Sequence, residues 1–289
     1  MKKRWLLNFA LILFVIALGL VVKYQPGTSK KSTETAALTN LAIDNIAHIR
    51  IVRSGQDEIV LTKTNGHWQM TAPIQARADD FRIDGLLHIA NAKIEGKFTA
   101  AAADLAKYGL DHPLADLWLD NNEIKFGGLH TFANSQYVLF NGEIYLIPAA
   151  GFRPLASSLN DFFSTRLLEE GRKPIAFKLP NFSLTLENGN WSITPQAKNL
   201  SNDKINTFVE EWRYARALSV QRYTGKKAIG AIRITFLEIG KTNATPKPQT
   251  LDLAILAQQS ELVLYRKDEG LEYHFPQEIS EHLLSLAAE

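Results

Sequence analysis

Short runs in which apolar and polar residues alternate with a period of two recur along the chain, a pattern typical of strands with one buried face. In the first half, the alternating runs are residues 47–53, 59–70, 116–120, 123–127, 136–140 and 143–147. In the second half, they are residues 175–179, 182–193, 231–239, 250–256, 261–266 and 271–275. Turn residues separate several runs, as at Asn141-Gly142 and Asp268-Glu269-Gly270. The pattern therefore predicts antiparallel strands joined by short turns.

One motif occurs in both halves of the chain. Residues 59–70 read IVLTKTNGHWQM, and residues 182–193 read FSLTLENGNWSI. Asn-Gly between β-prone runs predicts a hairpin with a type I′ turn, because both turn residues need positive φ. The tryptophan after each turn is expected to pack a helix against the sheet, and a sugar-stacking platform is the less favoured alternative. The residues that define this structural repeat are Asn65, Gly66, Trp68, Asn188, Gly189 and Trp191.

Helical spacing follows each hairpin. Asp79 is a predicted N-cap for a helix over residues 80–95, and Ser201 is the predicted N-cap of a second helix. Their apolar faces are Ile83, Leu86, Leu87, Ala90 and Ile94 in the first helix, and Ile205, Phe208, Val209 and Trp212 in the second. Both helices are expected to pack one face on a sheet.

A short bridging helix is predicted between the two halves, within residues 148–171, through Leu155, Leu159, Phe162 and Phe163. The sequence thus predicts an α+β fold: an N-terminal transmembrane helix, then two repeated units of antiparallel strands with one packed helix each. The units span residues 44–150 and 172–289, with the bridging helix at 151–171. One continuous sheet and two separate domains both remain open.

The N-terminal apolar segment, residues 5–22, reads WLLNFALILFVIALGLVV. As a helix it would be about 27 Å long, close to the roughly 30 Å hydrocarbon core of a bilayer. Lys23 to Pro26 suit a signal peptidase poorly, so an uncleaved signal anchor over residues 1–23 is favoured over a cleaved signal peptide. The residues expected to contact inner-membrane lipid include Trp5, Leu6, Leu11, Phe14, Ile16, Leu18, Leu20 and Val22.

Basic residues flank this segment equally, so charge alone does not orient it. The lengths of the flanking segments orient it, because a short basic N-terminus stays in the cytoplasm and long domains are exported largely regardless of charge. The globular part is therefore expected in the periplasm, tethered by a flexible segment over residues 24–43.

Charge and composition exclude several classes of function. Three of the 32 basic residues precede the apolar segment and all 30 acidic residues follow it, so the remainder is nearly neutral. A neutral domain has no electrostatic footprint for nucleic acid. The chain has no cysteine, which removes disulfides, thiolate metal sites and cysteine nucleophiles.

No catalytic, cofactor-binding or metal-binding residue is predicted. The seven histidines lack metal-ligand spacing; they are His48, His67, His88, His112, His130, His274 and His282. Asp79-Asp80 is explained by helix capping, and Gly127-Gly128 lacks the rest of a phosphate motif. The stretch Tyr108 to Pro113 groups Tyr, Asp and His, but Gly109 suits a left-handed cap and Pro113 blocks helix continuation.

These motifs resemble the bacterial "domain of unknown function 4340" family. The resemblance covers residues 44–195 well, through IVLTKTNGHWQMTAPIQARADDF (59–81), DLAKYGLDHPLADLWL (104–119), YVLFNGEIYLI (137–147) and DFFSTRLLEE (161–170), and it is looser beyond 215. It implies a membrane helix followed by an exported domain. Some members are linked to ABC-type transport systems related to gliding-motility auxiliary components, which implies an accessory role and no established activity.

The leading hypothesis is a non-enzymatic, membrane-anchored accessory or scaffold protein of an envelope complex, such as an ABC-type transporter, with membrane or periplasmic protein partners. The first alternative is a periplasmic module that binds glycan or lipid in a cleft between the repeats. A hydrolase with an unfamiliar site is the least favoured, because spacing arguments detect only local motifs.

Overall fold

The computed structural model describes residues 36–99, 102–131, 134–196, 201–238 and 247–286. The predicted membrane anchor and most of the predicted tether lie outside these ranges. Among the helices within them, none combines the length and the apolar character needed to cross a bilayer.

The first sheet in the described part of the chain has nine strands, all paired antiparallel, in the order β4-β3-β2-β1-β6-β7-β8-β9-β5. Their bounds are β1 His48–Val52, β2 Ile59–Thr64, β3 His67–Ala72, β4 Ala76–Arg77, β5 Gly96–Thr99, β6 Ala115–Leu119, β7 Asn122–Leu129, β8 Ser135–Phe140 and β9 Glu143–Pro148. The alternation of burial along β1 and β6 matches the period of two in the sequence.

The second sheet has eight described strands, also antiparallel, in the order β12-β11-β10-β14-β15-β16-β17-β13. Their bounds are β10 Arg172–Lys178, β11 Ser183–Glu187, β12 Asn190–Thr194, β13 Ser219–Arg222, β14 Gly230–Glu238, β15 Gln249–Ala257, β16 Glu261–Arg266 and β17 Leu271–Pro276. The predicted α+β class with antiparallel sheets is confirmed.

The two sheets have the same topology. Each strand of the second sheet has a counterpart at the same place in the first sheet, and β4 of the first sheet has none among the described strands. The matching orders are β3-β2-β1-β6-β7-β8-β9-β5 and β12-β11-β10-β14-β15-β16-β17-β13. Both Asn-Gly turns have the positive φ that a type I′ hairpin needs, at 52° and 84° for Asn65 and Gly66 and at 52° and 83° for Asn188 and Gly189. We call the two sheets with their helices the first repeat and the second repeat.

Four α-helices lie in the described residues: α1 Asp80–Leu87, α2 Arg153–Ala156, α3 Asn202–Tyr214 and α4 Gln277–Leu284. The predicted caps hold, since Asp79 accepts a hydrogen bond from the Arg82 amide and Ser201 accepts one from the Lys204 amide. The predicted apolar face of α3 is buried.

The prediction of a helix over residues 80–95 is wrong in its length. The α-helix ends at Leu87 and a 3₁₀ turn ends at Asn91. Beyond it the chain is extended, because the Ile94 amide donates to the Ala36 carbonyl at 3.0 Å and the Glu95 amide donates to the Leu146 carbonyl at 2.8 Å. Pairing with distant backbone therefore replaced the last helical turn.

Two further predictions need correction. The bridging segment is not one helix: it consists of 3₁₀ turns at Ala149–Phe152 and Leu159–Phe162 on either side of the short α2, followed by extended chain. Residues 36–43, assigned to the tether, pack on the first repeat: Leu38 is buried, and its amide donates to the Ala92 carbonyl at 2.9 Å. The short strands β4, β5 and β13 and helix α4 were not predicted.

The core is one connected cluster of buried apolar side chains that includes residues from both repeats. Phe162, Phe163, Leu167 and Leu168 belong to this cluster and come from the segment between the sheets, residues 151–171, which we call the linker. The apolar positions of the linker thus join the two cores.

Candidate functional site

The stretch from Tyr108 to Pro113 has a structural role. A 3₁₀ helix, Ala102–Tyr108, ends at Gly109, which has φ of 65°. A Cβ on Gly127 would lie 2.3 Å from the Tyr108 carbonyl oxygen, and a Cβ on Gly109 would lie 2.9 Å from the Gly128 nitrogen. The glycines therefore allow this turn to lie directly on β7.

The two repeat tryptophans occupy different environments. Trp68 is buried, and its amide nitrogen lies 3.3 Å from Asp80 at the start of α1. Trp191 is half-buried, with its ring 6.2 Å from the ring of Phe177. Both pack on the core cluster.

Five histidines lie next to acidic side chains and not next to other histidines. Nδ1 of His274 lies 3.1 Å from Glu261, and Nδ1 of His282 lies 2.9 Å from Glu211. His67, His88 and His112 lie 3.7, 3.3 and 4.0 Å from aspartates. Within the described residues, no group of three or more His, Asp or Glu side chains is arranged to hold a metal ion.

A buried ionic cluster connects the two repeats; we call Arg77, Glu169, Arg266, Glu269 and Tyr273 the junction network. Arg77, on β4 of the first repeat, pairs with Glu269 and donates to the Tyr273 hydroxyl at 2.9 Å in the second repeat. Arg266 lies 3.2 Å from Glu169 of the linker and 3.5 Å from Glu269. Tyr273 donates to Glu269.

Burial and the neighbouring charges shift the pKa of Glu169, a member of the junction network, in opposite directions. Burial alone would raise the pKa of Glu169, but the neighbouring guanidiniums of Arg77, Arg266 and Arg172 hold that pKa below its ordinary value. Burial raises the pKa of Tyr273 above its ordinary value, so the hydroxyl stays protonated and donates. The charges are thus paired and hydrogen-bonded, as burial requires.

The sequence reasoning missed this network, because its members are far apart along the chain. One local signal was present. In β16 the buried residues Leu262 and Leu264 alternate, and Arg266 takes the next position on the same face. An arginine at an inward position of a strand indicates a buried charge that needs a partner.

A cleft of about 940 Å³ lies beside the junction network. Its lining comes from the β2–β3 hairpin and the start of α1 in the first repeat, from the linker, and from residues at and just before the start of β13 in the second repeat. Two large apolar side chains in its lining are strongly exposed, Phe81 at 82% and Leu218 at 80%.

The acidic groups of the cleft already have partners. Asp79 caps α1, and Asp161 accepts hydrogen bonds from the amide and the hydroxyl of Ser158. Asp80 accepts from the Trp68 amide, Glu169 belongs to the junction network, and Glu170 lies 3.8 Å from Arg166. Asp79, Asp161 and Glu169 are therefore structural acceptors, whereas the side chains of Asp80 and Glu170 are 62% and 73% exposed.

Two arginines of the cleft are cross-strand neighbours. Arg166 of the linker and Arg216 of the second repeat form an isolated antiparallel bridge. The Arg216 guanidinium is 3.5 Å from the Thr165 hydroxyl, and the Arg166 side chain is 39% exposed. Like charges directly opposite each other are unfavourable, so this pair is a good site for an anionic group.

Fold and site together define a two-repeat α+β protein with a charged cleft at the junction of its repeats. The chain belongs to the family "Domain of unknown function (DUF4340)", whose model matches residues 68–252. This confirms the family indicated by the motifs, and the match reaches β15 of the second repeat. Neither a curated protein nor a solved structure matches the chain.

Proposed function

We propose that this chain is a non-enzymatic accessory or scaffold protein of an envelope complex, such as an ABC-type transport system. Residues 5–22 anchor it in the inner membrane, and the repeats lie in the periplasm. Anchoring confines the repeats to the membrane surface and raises their effective concentration near membrane partners.

The observation that carries the proposal is the fixed junction between the repeats. The linker is hydrogen-bonded to both sides, since the Ser164 amide donates to the Arg77 carbonyl at 2.9 Å and the Leu167 amide donates to the Ala215 carbonyl at 3.0 Å. With the junction network beside it, the two walls of the cleft are held in one arrangement. A rigid body that presents an exposed cleft suits a positional role.

The non-enzymatic part of the proposal is supported by three of the five carboxylates of the cleft, which serve as acceptors within the fold. A general base must be free to reach a substrate proton. Asp79, Asp161 and Glu169 instead accept hydrogen bonds or ion pairs from the fold itself.

The test of the accessory role is co-purification. The full-length tagged chain, extracted from membranes in mild detergent after cross-linking in cells, is expected to recover a defined set of envelope proteins. The matched control is the same tag on residues 1–35 fused to an unrelated periplasmic domain. Recovery of the chain alone, or of the same proteins by the control, would reject the proposal.

Topology is tested separately. Protease added to spheroplasts with an intact inner membrane is expected to digest the repeats, while a cytoplasmic marker stays whole. Protection of the repeats, or mature chain free in the soluble fraction, would contradict the anchored periplasmic arrangement.

A second candidate function is the binding of a glycan or lipid in the cleft, favoured by the cleft volume of about 940 Å³, which lies within the range of small-molecule sites. Its charged lining differs from the mostly apolar walls of such sites. Native mass spectrometry of the detergent-purified chain decides this: a retained glycan or lipid lost on Phe81→Ser would favour the second candidate.

A further inference from the structure

We propose that the cleft binds an extended segment of a partner protein, with an acidic side chain on Arg166 and Arg216 and an apolar side chain against Phe81 and Leu218. This inference rests on the proposed accessory function and specifies the chemistry of the partner.

The arginine pair selects a carboxylate. Arg166 and Arg216 face each other across an antiparallel bridge, where two like charges repel. Glu170 lies 3.8 Å from Arg166 and offsets only part of this charge, since its own side chain is 73% exposed. A carboxylate between the two guanidiniums accepts charge-assisted hydrogen bonds from both, the strongest class available to a peptide side chain.

The apolar contacts come from both repeats. Phe81 belongs to α1 and Leu218 precedes β13, and both are at least 80% exposed in the same cleft. Large apolar side chains exposed in a recess are typical of binding anchors, and aromatic anchors dominate interface energies. A ligand that touches both side chains must bridge the junction.

The edge of the second sheet next to the cleft suits an extended main chain. β13 is the outermost described strand of the second sheet, whereas the outer edge of β4 is already paired with the linker, with the Ser164 amide 2.9 Å from the Arg77 carbonyl. Ser219 and Val220 of β13 line the cleft. An extended peptide can add its backbone to such an edge while its alternate side chains enter pockets.

A peptide fits better than a nucleic acid or an anionic membrane surface. Those ligands bring repeated negative charge, which Asp79, Asp80 and Asp161 in the same cleft would repel. A peptide combines one carboxylate, one apolar side chain and an uncharged backbone in a short length. The site is also recessed, whereas a bilayer presents a broad surface.

The experiment isolates binders from a displayed library of random short peptides. The target is the full-length chain in detergent in one selection and its Arg216→Glu variant in a second. The wild-type chain is expected to enrich peptides with Asp or Glu near an apolar residue, and Arg216→Glu is expected to enrich Lys or Arg at that place. Replacing the selected acid by its amide is expected to weaken binding at least about tenfold, the size of one lost charge-assisted hydrogen bond.

Matched variants localise the effect. Phe81→Ser and Leu218→Ser are each expected to weaken the selected peptides about tenfold. Leu129→Ser and Arg153→Gln, which change exposed residues outside the cleft lining, are expected to leave binding unchanged. A consensus without acidic residues, identical selections on both chains, or binding only to phosphatidylglycerol vesicles would overturn the peptide proposal.

Failure of the peptide proposal can be distinguished from failure of the accessory role. If wild type and Arg216→Glu recover the same envelope proteins from cross-linked membranes, the accessory function stands and the cleft is not the contact. If neither recovers any protein, the accessory function itself fails.

Discussion

Buried charge is the main residue-scale feature of this protein. Arg266 is 1% exposed, and Glu269 is 8% exposed at the side chain. Removing such groups from water is unfavourable unless each charge is paired and hydrogen-bonded. The junction network meets this condition with groups from the first repeat, the linker and the second repeat, so its integrity depends on the assembled fold.

Arg77→Met is predicted to lower the free energy of unfolding by about 3 kcal/mol, because it leaves Glu269 buried without its main partner. Denaturant unfolding of the full-length chain in detergent measures the change. Arg233→Met is the matched control, since Arg233 pairs with Asp252 on the surface, and it is expected to change stability little. Adding Glu269→Gln to Arg77→Met is expected to recover part of the loss, and a full additive loss would contradict the pairing.

Acid sensitivity follows from Glu169. Its folded pKa is depressed below the ordinary value of 4.5, so its stabilising contribution is present above pH 4.5 and is lost as the pH falls toward the folded value. Glu169→Gln is therefore predicted to flatten the decline of stability below pH 4.5. Unfolding midpoints measured across that window check this, and equal slopes for both chains would rule it out.

Close backbone approach makes Gly127 sensitive to a single methyl group. In Gly127→Ala the new Cβ would meet the Tyr108 carbonyl oxygen at 2.3 Å and Leu110 at 2.8 Å. We expect a loss of about 1–3 kcal/mol in the free energy of unfolding. Gly128→Ala is the neighbouring control, because its Cβ would lie 3.5 Å from the same oxygen, and it should be much better tolerated.

At the scale of elements, local chemistry predicted the turns and caps well. Asn65, Gly66, Asn188 and Gly189 adopt positive φ because only such residues do so with little strain. Element length was less predictable. Ile94 has helical spacing, but its amide bonds the Ala36 carbonyl, a partner that the local pattern does not reveal.

Ser201→Ala is predicted to lower stability by about 1 kcal/mol, because it removes the side-chain acceptor from the first turn of α3. Ser201→Asp keeps an acceptor and should retain stability. Thermal unfolding of the two variants side by side provides the measurement. Equal midpoints would show that the cap contributes nothing to α3.

At the scale of the whole molecule, one apolar cluster and the junction network unite the repeats. Phe162, Phe163, Leu167 and Leu168 of the linker lie within that cluster. Two modules that share a core and a set of buried ion pairs lose stability together when the junction opens. The repeats are therefore interdependent despite their matching topologies.

We predict a single cooperative unfolding transition. Pulse-labelling hydrogen exchange across a denaturant series should show β1 and β10, one from each sheet, losing protection at the same midpoint. Arg77→Met should shift both midpoints. Loss of protection in one sheet while the other remains folded would contradict this interdependence.

The sequence by itself determined the strand pattern, the paired hairpins and the repeated α+β plan, because alternation, Asn-Gly turns and capping residues act over a few positions. The tertiary structure alone decided the junction and its cleft. Arg77 meets Glu269, 192 residues away along the chain, and Phe81 shares a cleft with Leu218 of the second repeat. Such contacts depend on how the sheets pack, and a local pattern of apolar and polar residues does not encode which distant side chains will face each other.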